Sequence, residues 1–428
     1  MKMKKILTLV LALALVLGLT ACGSSGDSTS GSGSGSQSGS QTSSNSNFKV
    51  GAIYINKKSD TAGYTYAHNT GITTAMKELG LDPETQLVVQ DEVPEEYDAV
   101  ATAVDNLVGE GCNIIFGISF GYMQAMNDKA AEYPDVIFSH ATGYMSNDTN
   151  FNNYFGRAYQ ARYLAGIAAG LKSLETGNNN IGYVAAYGRE YAETSSGING
   201  FALGVQAVNP DATVYVKKLG NWADEINESA FATELIQSFG CGVISQHCDS
   251  AQPQIAAENA GVFGCGYNSD MTADAPKAHL TAAIWHWDVY YKTALEAAMA
   301  CESADQFVEK MGGNAYYGGL KEGFVGISPL NEDTVAPGTQ AAIDAVSELI
   351  TSGEWDVFTG TKLHITINDD GTATVEKEEA PLMSDGYQLK DSEVVEMDPE
   401  IVPAGGESIE DSVITGTMNY YVQGVKEV

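Results

Sequence analysis

The sequence predicts an α/β protein made of two consecutive units, and three observations support that fold class. Short apolar runs alternate with segments of helical spacing from Phe48 to about Val289. This strand–helix alternation is typical of parallel sheets that carry helices on both faces. Nine predicted strands in about 240 residues are too many for one doubly wound sheet, so we expect two units with a break near residues 155–157.

Each predicted strand is a short apolar run, and each predicted helix repeats its apolar residues every three or four positions. The strands are predicted at 48–55, 86–90, 113–118, 135–139, 180–187, 213–219, 242–246, 262–267 and 279–284. The helices are predicted at 64–79, 95–109, 121–133, 159–173, 195–208, 223–239 and 251–260. Ligands of open parallel sheets bind beyond the carboxyl ends of the strands, so the residues that follow each strand are the functional candidates.

Aromatic residues, carboxylates and amides follow nearly every predicted strand. The candidates for ligand contact are Asp60, Tyr64, Ser119, Tyr122, Trp222, Asp249, Asn268 and Asp270. Two facing lobes would bring these residues into one cleft. Each also has a structural interpretation, since tyrosine and tryptophan pack at sheet rims and Asp60 or Asp249 suits a helix N-cap. The histidines at 140, 247, 279 and 286 are interpreted as structural.

The tail beyond residue 360 has a different pattern. Residues 362–376 alternate polar and apolar side chains around Asp370-Gly371, which predicts a β-hairpin. An EF-hand interpretation of residues 368–371 fails, because the flanks are strands and the later bidentate glutamate is missing. We expect residues 361–428 to form a hairpin and an extension on the two lobes, not a third domain.

The N-terminal region predicts export and membrane attachment. Residues 1–21 have a basic start, an apolar core and small residues before Cys22, which is the pattern of a signal peptide. Leu19-Thr20-Ala21-Cys22 resembles a bacterial lipobox, with Cys22 as the lipid-modified residue. The alternative is an ordinary signal peptide followed by a chance cysteine. Residues 22–47 are rich in Gly and Ser and predict a disordered tether, with a reach on the order of 25–30 Å.

Charge and cysteine content exclude several classes of function. The formal charge is −33, and removal of residues 1–21 with their three lysines would make it −36. Such acidity argues against a nucleic-acid partner, because phosphate binding needs clustered lysine and arginine. Five cysteines remain besides Cys22, and we expect them to be buried and reduced. A metal site from Cys241, Cys248 and Cys265 is the alternative, but no C-x-x-C pair supports it. No cofactor or metal is predicted.

Eight segments together resemble one known family, the basic membrane protein (BMP) lipoproteins. These are substrate-binding components of ABC importers and include purine-nucleoside receptors and purine-base binders. The resemblance covers about 48–360 and is carried in order by residues 51–71, 110–123, 133–144, 154–170, 181–214, 243–250, 262–271 and 318–329. It implies an extracellular solute receptor, anchored in the cell membrane by lipid, that is a monomer and delivers its ligand to an ABC permease.

The resemblance also implies a type I periplasmic-binding-protein fold, in which a three-segment hinge joins two doubly wound αβ lobes. The first lobe would comprise 48–156 with about 285–325. The second lobe would comprise 157–284 with about 326–360.

Family members hold a purine base or nucleoside between aromatic rings. By position, those rings are Tyr64, where relatives often have tryptophan, and Trp222. Asp60 and Asp270 would accept hydrogen bonds from the ligand, and Asn268 stands where aspartate is frequent. That last difference replaces a pure acceptor with an amide that both donates and accepts, which could change the purine edge that is read.

The segment Gly117-Ile118-Ser119-Phe120-Gly121 matches the G-x-S-x-G spacing of a hydrolase nucleophile elbow. His247 and His279 follow in the required order, but no HGGG-like oxyanion loop follows an early strand. We therefore expect no catalytic residue and no enzyme activity, with Ser119 as a hydrogen-bond donor at a strand end. Three alternatives stay open: a serine hydrolase, a sugar or amino-acid binder of the same fold, and a surface sensor or adhesin.

Overall fold

The computed structural model describes residues 47–61 and 63–428. Its strands are β1 (Val50–Tyr54), β2 (Leu87–Gln90), β3 (Ile114–Ile118), β4 (Ile137–Ala141), β5 (Phe151–Gly156), β6 (Asn180–Ala185), β7 (Thr213–Lys218), β8 (Val243–His247), β9 (Phe263–Tyr267), β10 (His279–Trp285), β11 (Ala315–Gly318), β12 (Val325–Ile327), β13 (Thr361–Ile367), β14 (Ala373–Glu379), β15 (Leu382–Lys390), β16 (Glu393–Glu396), β17 (Glu400–Val402), β18 (Tyr420–Val422) and β19 (Val425–Glu427). The predicted signal peptide, Cys22 and the tether up to residue 46 lie outside the described residues.

The helices are α1 (Gly63–Glu78), α2 (Pro83–Gln86), α3 (Tyr97–Gly109), α4 (Met123–Glu132), α5 (Ala158–Thr176), α6 (Ala192–Val208), α7 (Glu225–Phe239), α8 (Gln252–Ala260), α9 (Trp287–Met299), α10 (Phe307–Lys310), α11 (Thr339–Ser352) and α12 (Asp411–Gly416). All nine predicted strands and all seven predicted helices are confirmed, with limits that differ by a few residues. No helix in the described part of the chain has both the length and the apolarity needed to cross a membrane.

Two sheets define two lobes. The first lobe contains a sheet of order β11-β5-β4-β3-β1-β2, in which every pair is parallel. The second lobe contains a sheet of order β12-β10-β9-β8-β6-β7-β19, in which only the β12–β10 pair is antiparallel. The prediction of an α/β protein with two parallel sheets is therefore confirmed.

The chain passes between the two sheets three times. It leaves the first sheet after β5, returns after β10 with α9 packed on α1, and leaves again between β11 and β12. These three crossings are the three segments of the predicted hinge. Side chains on opposite faces of β1 join different apolar clusters, with Val50 and Ala52 in one and Ile53 in the other. The first sheet is thus covered on both faces, as in a doubly wound unit.

Strand β5 was missed in the sequence because two asparagines interrupt its apolar run. Both are buried in the structure, and the amide nitrogen of each has a hydrogen-bond partner, whereas Asn153 Oδ1 has none among the described residues. The Asn152 amide donates to the Tyr290 hydroxyl of α9 at 2.9 Å. The Asn153 amide donates to the Met145 carbonyl at 3.3 Å. Buried polar groups with partners carry little penalty, so the strand tolerates them.

Helices α5 and α6 pack closely in the second lobe because glycine lies at their contact. A β-carbon at Gly166 would be 2.2 Å from the Phe201 carbonyl oxygen, and one at Gly204 would be 2.1 Å from the Tyr163 carbonyl oxygen. Such distances are well inside van der Waals contact, so any larger residue would force the two helices apart.

The C-terminal segment (residues 361–428) begins with the predicted hairpin, which is confirmed as β13 and β14 around Gly371. The structure adds a small sheet in which β15 pairs with β16, β17 and β18. The last strand, β19, then joins the edge of the second sheet parallel to β7, with Val425 opposite Val214. The end of the chain is therefore part of the second lobe's main sheet.

Five cysteines lie in the described residues, and all have free thiols. Four are buried, as the sequence predicted, namely Cys112, Cys241, Cys248 and Cys265. Cys301 is only partly buried, so it departs from that prediction. Across the described ranges, no group of three or more His, Cys, Asp or Glu side chains could hold a metal ion.

Candidate functional site

A cavity of about 210 Å³ lies between the two lobes, where the strands of both sheets reach their carboxyl ends. This is the usual position of a ligand in an open α/β sheet. The volume is below the range of about 300–1,000 Å³ that is typical for drug-sized molecules, so a small ligand is expected. The lining residues are Ile55, Asn56, Tyr64, Glu95, Ser119, Phe120, Thr142, Glu193, Trp222, Ala223, Asp249 and Tyr267.

The first lobe presents polar groups that already bond one another. The Ser119 hydroxyl donates to Glu95 Oε1, and the same oxygen accepts the Gly121 backbone N–H at 2.8 Å. The Thr142 hydroxyl donates to the Ala141 carbonyl at 2.7 Å. The hydroxyl of Tyr64 differs, because it is buried and has no hydrogen-bond partner among the described residues.

The two lobes touch beside Tyr64. Gly63 has a φ of +81°, a conformation that favours glycine. A β-carbon there would lie 3.2 Å from the Asp249 carbonyl oxygen of the second lobe. The start of α1 is therefore held against the loop that carries Asp249, and the cleft between the lobes is narrow at this point.

Trp222 lines the cavity from the second lobe, and two tyrosines that lie outside the lining pack against it. Trp222 lies with its ring centre 5.5 Å from that of Tyr187 and 6.3 Å from that of Tyr191. Tyr191 in turn lies 6.4 Å from Phe120 of the first lobe. The Trp222 carbonyl accepts the Asp249 N–H at 3.0 Å, which couples the two loops that carry these cavity residues.

A buried cation lies behind the cavity. The Arg162 side chain from α5 is fully buried, donates to the Gln246 carbonyl at 2.5 Å, and lies 4.0 Å from the centre of the Tyr267 ring. Two of its nitrogens, Nε and Nη2, have no hydrogen-bond partner in the described chain. A buried guanidinium needs a compensating charge, and Glu193 is a carboxylate that interacts with it electrostatically.

Two carboxyl groups of the second lobe share this environment. Burial raises the pKa of Glu193 to about 7, although the Arg162 cation opposes the effect. Burial also raises the pKa of Asp249 to about 8, and the charges of Glu228 and Glu193 add to the shift. Near neutral pH both groups can therefore hold a proton, so each can donate or accept a hydrogen bond.

Two further buried side chains complete the second-lobe surface. The Asn268 amide donates to Asp249 Oδ1 at 3.1 Å, whereas its own Oδ1 has no partner among the described residues. Burial, together with the Arg162 cation, lowers the pKa of His247 well below its ordinary value, so this imidazole is neutral. His247 Nε2 lies 3.8 Å from Glu193 Oε1.

The structure brings four of the eight predicted ligand residues to the cavity wall: Tyr64, Ser119, Trp222 and Asp249. Asn268 lies directly behind Asp249. The other three lie elsewhere.

Tyr122 is buried in the first lobe, where its hydroxyl donates to the Val93 carbonyl at 2.5 Å. Asp270 accepts bonds from the Thr272 N–H and hydroxyl at 2.9 and 2.6 Å. Asp60 is partly exposed and is not part of the lining.

Two carboxylic acids of the lining were missed in the sequence. Glu193 lies in the first turn of α6, and Glu95 lies in the loop before α3. Neither directly follows a strand, the position that marks a ligand-binding candidate in an open α/β sheet. An acidic residue in the first turn of a helix that follows a strand could have indicated Glu193. Such a residue, however, usually stabilises its helix by interacting with the helix dipole.

The G-x-S-x-G segment forms a strand-to-helix turn in which Ser119 follows β3. His140 Nε2 bonds the Ser119 backbone carbonyl at 2.7 Å, so this imidazole is not directed at the hydroxyl. The hydroxyl is bonded to a carboxylate, Glu95, instead of to a histidine. The arrangement positions Ser119 as part of the cavity wall.

Residues 48–357 match the model of the Bmp family, described as PnrA-like ABC transporter substrate-binding proteins. The chain belongs to the Bmp family. Substrate-binding proteins of ABC transporters work outside the cytoplasm and generally have no enzymatic activity. The resemblance that the sequence carries is therefore confirmed.

Two relatives have names that give different ligands. This Bmp protein is 34% identical over 312 residues to a purine-binding protein of Brucella abortus, an alignment that covers 73% of this chain and 83% of that one. It is 38% identical over 251 residues to TsgA13 of Haloferax volcanii, provisionally named as a glucose-binding protein of an ABC transporter. That alignment covers 58% of this chain and 59% of TsgA13.

The fold is also that of a solved solute-binding protein of an ABC transporter from Aeropyrum pernix. The TM-score is 0.57 at 18% identity, and the match covers 76% of this chain and 94% of that one. The predicted type I periplasmic-binding-protein fold is thereby confirmed for this Bmp protein.

Proposed function

We propose that this Bmp protein binds a purine base or nucleoside in the cavity between Tyr64 and Trp222 and delivers it to an ABC permease. The observation that carries the proposal is the chemistry of the lining. Among its described residues are aromatic rings from both lobes and three carboxylic acids, but no lysine or arginine. A flat, uncharged ligand with several hydrogen-bond donors fits such a surface.

Stacking would supply much of the affinity. A purine has two flat faces, and an aromatic side chain on such a face contributes about 1–3 kcal/mol per base. Tyr64 projects from the first lobe and Trp222 from the second, so a ring held by both would link the lobes. This arrangement favours closure of the cleft around the ligand and the exclusion of water from it.

Edge contacts would supply the selectivity, because stacking alone tolerates any base. Asp249 and Glu193 would accept hydrogen bonds from ring N–H groups or ribose hydroxyls. The unpartnered Tyr64 hydroxyl is available for one further bond. A ligand without matching groups would leave these polar atoms buried and unpaired, which is costly. Asp60 and Asp270, expected from the sequence to contact the ligand, lie away from the lining, so we assign the acceptor role to Asp249.

A monosaccharide is the second candidate, and the Haloferax relative favours it. Sugars also bind between aromatic rings and carboxylates. The two candidates differ in the contact that dominates affinity. A sugar depends on hydroxyl hydrogen bonds on all sides, whereas a purine depends on two stacked faces.

The ligand that co-purifies with the protein tests the proposal. Protein isolated without denaturation should release a purine base or nucleoside, identified by mass spectrometry. A Tyr64→Ala, Trp222→Ala double variant, purified in parallel, should release much less. If the wild type instead releases a hexose or an amino acid, and the double variant does not, that compound is the ligand and the purine assignment is wrong. If the preparation carries no ligand, titration with the same compounds decides.

Anchoring through Cys22 is a further part of the proposal, and it rests on the lipobox pattern alone. Cys22→Ala should move the protein from the membrane fraction to the soluble fraction and leave ligand affinity unchanged. Labelling with a radioactive fatty acid checks the modification directly. A variant that is still labelled, or still bound to membranes, would contradict the assignment.

A further inference from the structure

The C-terminal segment reaches the loop that carries two tyrosines packed against Trp222, a residue of the cavity wall. The family match ends at residue 357, so residues 361–428 lie outside it. The loop, residues 187–191, connects β6 to α6 and holds Tyr187 and Tyr191 against Trp222. Between these tyrosines lies Arg189, whose side chain points away from the solvent and is only 8% exposed.

Among the described residues, the side-chain contacts of Arg189 come from the C-terminal segment, and its buried Nε has no hydrogen-bond partner. One guanidinium nitrogen, Nη2, donates to Asp385 Oδ2 of β15. The other, Nη1, donates to Glu427 Oε2 of β19 at 3.2 Å. The guanidinium carbon lies 3.9 Å from the centre of the Tyr421 ring. Two ion pairs and a cation–π contact thus fix one side chain, an arrangement for which arginine is better suited than lysine.

Glu427 connects this contact to the rest of the lobe. Besides Arg189, it accepts a hydrogen bond from the Tyr421 hydroxyl at 3.0 Å and pairs with Lys218 Nζ at 3.0 Å. Lys218 also pairs with Glu190 of the loop at 2.5 Å. Arg189 is buried and Lys218 is partly buried, whereas Glu190 and Glu427 are exposed. Solvent therefore screens the Lys218–Glu190 pair more than the pairs that Arg189 forms.

The backbone of the loop fits closely against the same segment. A β-carbon at Gly188 would lie 2.2 Å from the Tyr421 hydroxyl oxygen. On the inner side, the Gly188 carbonyl accepts hydroxyl bonds from Thr194 at 3.0 Å and Ser195 at 2.9 Å. The loop is therefore fixed from α6 on one side and from the C-terminal segment on the other.

We propose that Arg189 is a positioning residue, and that Asp385, Tyr421 and Glu427 of the C-terminal segment hold it so that Tyr187 and Tyr191 support Trp222 in the ligand cavity. Arg189 does not line the cavity and acts through the tyrosines on either side of it. A segment outside the family match thereby contributes to ligand affinity. The affinity part of this inference rests on the proposed purine function, whereas the positioning part does not.

The test uses the full chain and two conservative variants. Glu427→Gln removes one charge from the contact but keeps its shape, and Arg189→Lys keeps the charge but loses the planar fork. The matched control is Glu378→Gln, which removes the partner of His364 at 2.6 Å on the hairpin of the same segment. Hydrogen exchange of the amides of residues 187–191 is measured without ligand, and guanosine, adenosine and inosine are titrated by calorimetry.

In both test variants the loop amides should exchange about tenfold faster, because local opening becomes easier, while the control exchanges like the wild type. The Kd for the purine that binds should rise about fivefold in the test variants and stay unchanged in the control. Unchanged exchange in both test variants would overturn the positioning role. Faster exchange with unchanged Kd would overturn the link to ligand affinity.

If the wild type binds none of the three nucleosides, adenine, guanine and hypoxanthine are titrated as well. If these bases also fail to bind, the proposed function is in error, and exchange at residues 187–191 alone decides the positioning role. If Arg189→Lys does not fold, the same exchange and affinity measurements on Glu427→Gln decide the outcome.

Discussion

The first lobe lines the cavity with polar side chains that already form hydrogen bonds with one another, such as Ser119 with Glu95. The second lobe instead contributes carboxyl groups beside the buried Arg162 cation and several polar atoms that have no hydrogen-bond partner. In the first-lobe part of the described lining, Tyr64 is an exception, because its buried hydroxyl has no hydrogen-bond partner. A polar group that is already bonded gains little from a ligand. An unbonded buried group has lost its water and gains a full hydrogen bond when the right ligand arrives.

This difference indicates separate tasks for the two lobes. In the proposed function, the first lobe gives a preformed wall, with Tyr64 as its stacking face. The second lobe holds the groups whose energy depends on the chemistry of the ligand, namely Glu193, Asp249 and Asn268. The C-terminal segment joins the second lobe's sheet, so it supports the side of the cavity that we expect to determine selectivity. The predictions below test this division.

The largest effect is expected at the aromatic faces. Trp222→Ala and Tyr64→Ala should each weaken purine binding by about tenfold or more, because each removes a stacking surface worth about 1–3 kcal/mol. Calorimetric titration measures the change. Tyr64→Phe is the control for the ring itself, since it removes only the hydroxyl. If either alanine variant binds as tightly as the wild type, that ring does not stack on the ligand.

The next effect concerns the carboxyl groups of the second lobe. Asp249→Asn should weaken binding by about tenfold, the loss of roughly one hydrogen bond, and should change the ranking among adenine, guanine, hypoxanthine and their nucleosides. Asp270→Asn is the matched control, because that carboxylate lies outside the cavity and bonds Thr272. Equal effects of both variants would contradict the assignment of selectivity to Asp249.

A third prediction concerns stability and pH in the ligand-free protein. The raised pKa values, about 8 for Asp249 and about 7 for Glu193, mean that the folded state binds protons more tightly than the unfolded chain. Their stabilising contribution is therefore complete below the ordinary carboxyl pKa and is lost as pH rises through 7 and 8. The free energy of unfolding in urea should fall less steeply with pH in Asp249→Asn than in the wild type. The same slope in both proteins would show that Asp249 ionises normally.

The smallest effect is expected in the first lobe. Ser119→Ala should change purine affinity by less than about threefold, because the hydroxyl already donates to Glu95. The wild type should hydrolyse no ester or nucleoside. Hydrolysis that disappears in Ser119→Ala would instead establish a serine hydrolase, and it would reverse the interpretation of the G-x-S-x-G segment.

Most of the fold could be predicted from the sequence because its strands and helices have regular periodicity. The exceptions have physical causes. Strand β5 is concealed by Asn152 and Asn153, because the partner that Asn152 needs when buried, Tyr290 of α9, lies far along the chain. Strands β16 to β19 of the C-terminal segment have only three or four residues each, too few to show a periodicity, and β19 pairs with the distant β7.

The cavity was predicted in part. Aromatic and acidic residues directly after strands, such as Trp222 and Asp249, were found by position. Arg162 could not be found, because an arginine within a helix is usually exposed and only tertiary packing under Tyr267 buries it. Glu193 was missed for a similar reason, since its role depends on a cation that the sequence does not place beside it.

Calorimetric titration of the wild-type protein with purines and with glucose tests the central claim most directly. The panel is adenine, guanine, hypoxanthine, their nucleosides, cytidine, D-glucose and a mixture of amino acids. We predict that at least one purine binds with micromolar or tighter affinity and that D-glucose, cytidine and the amino acids give no binding heat. Micromolar binding of glucose or of an amino acid, with no purine bound, would contradict the account of the ligand even though the fold and the family stand.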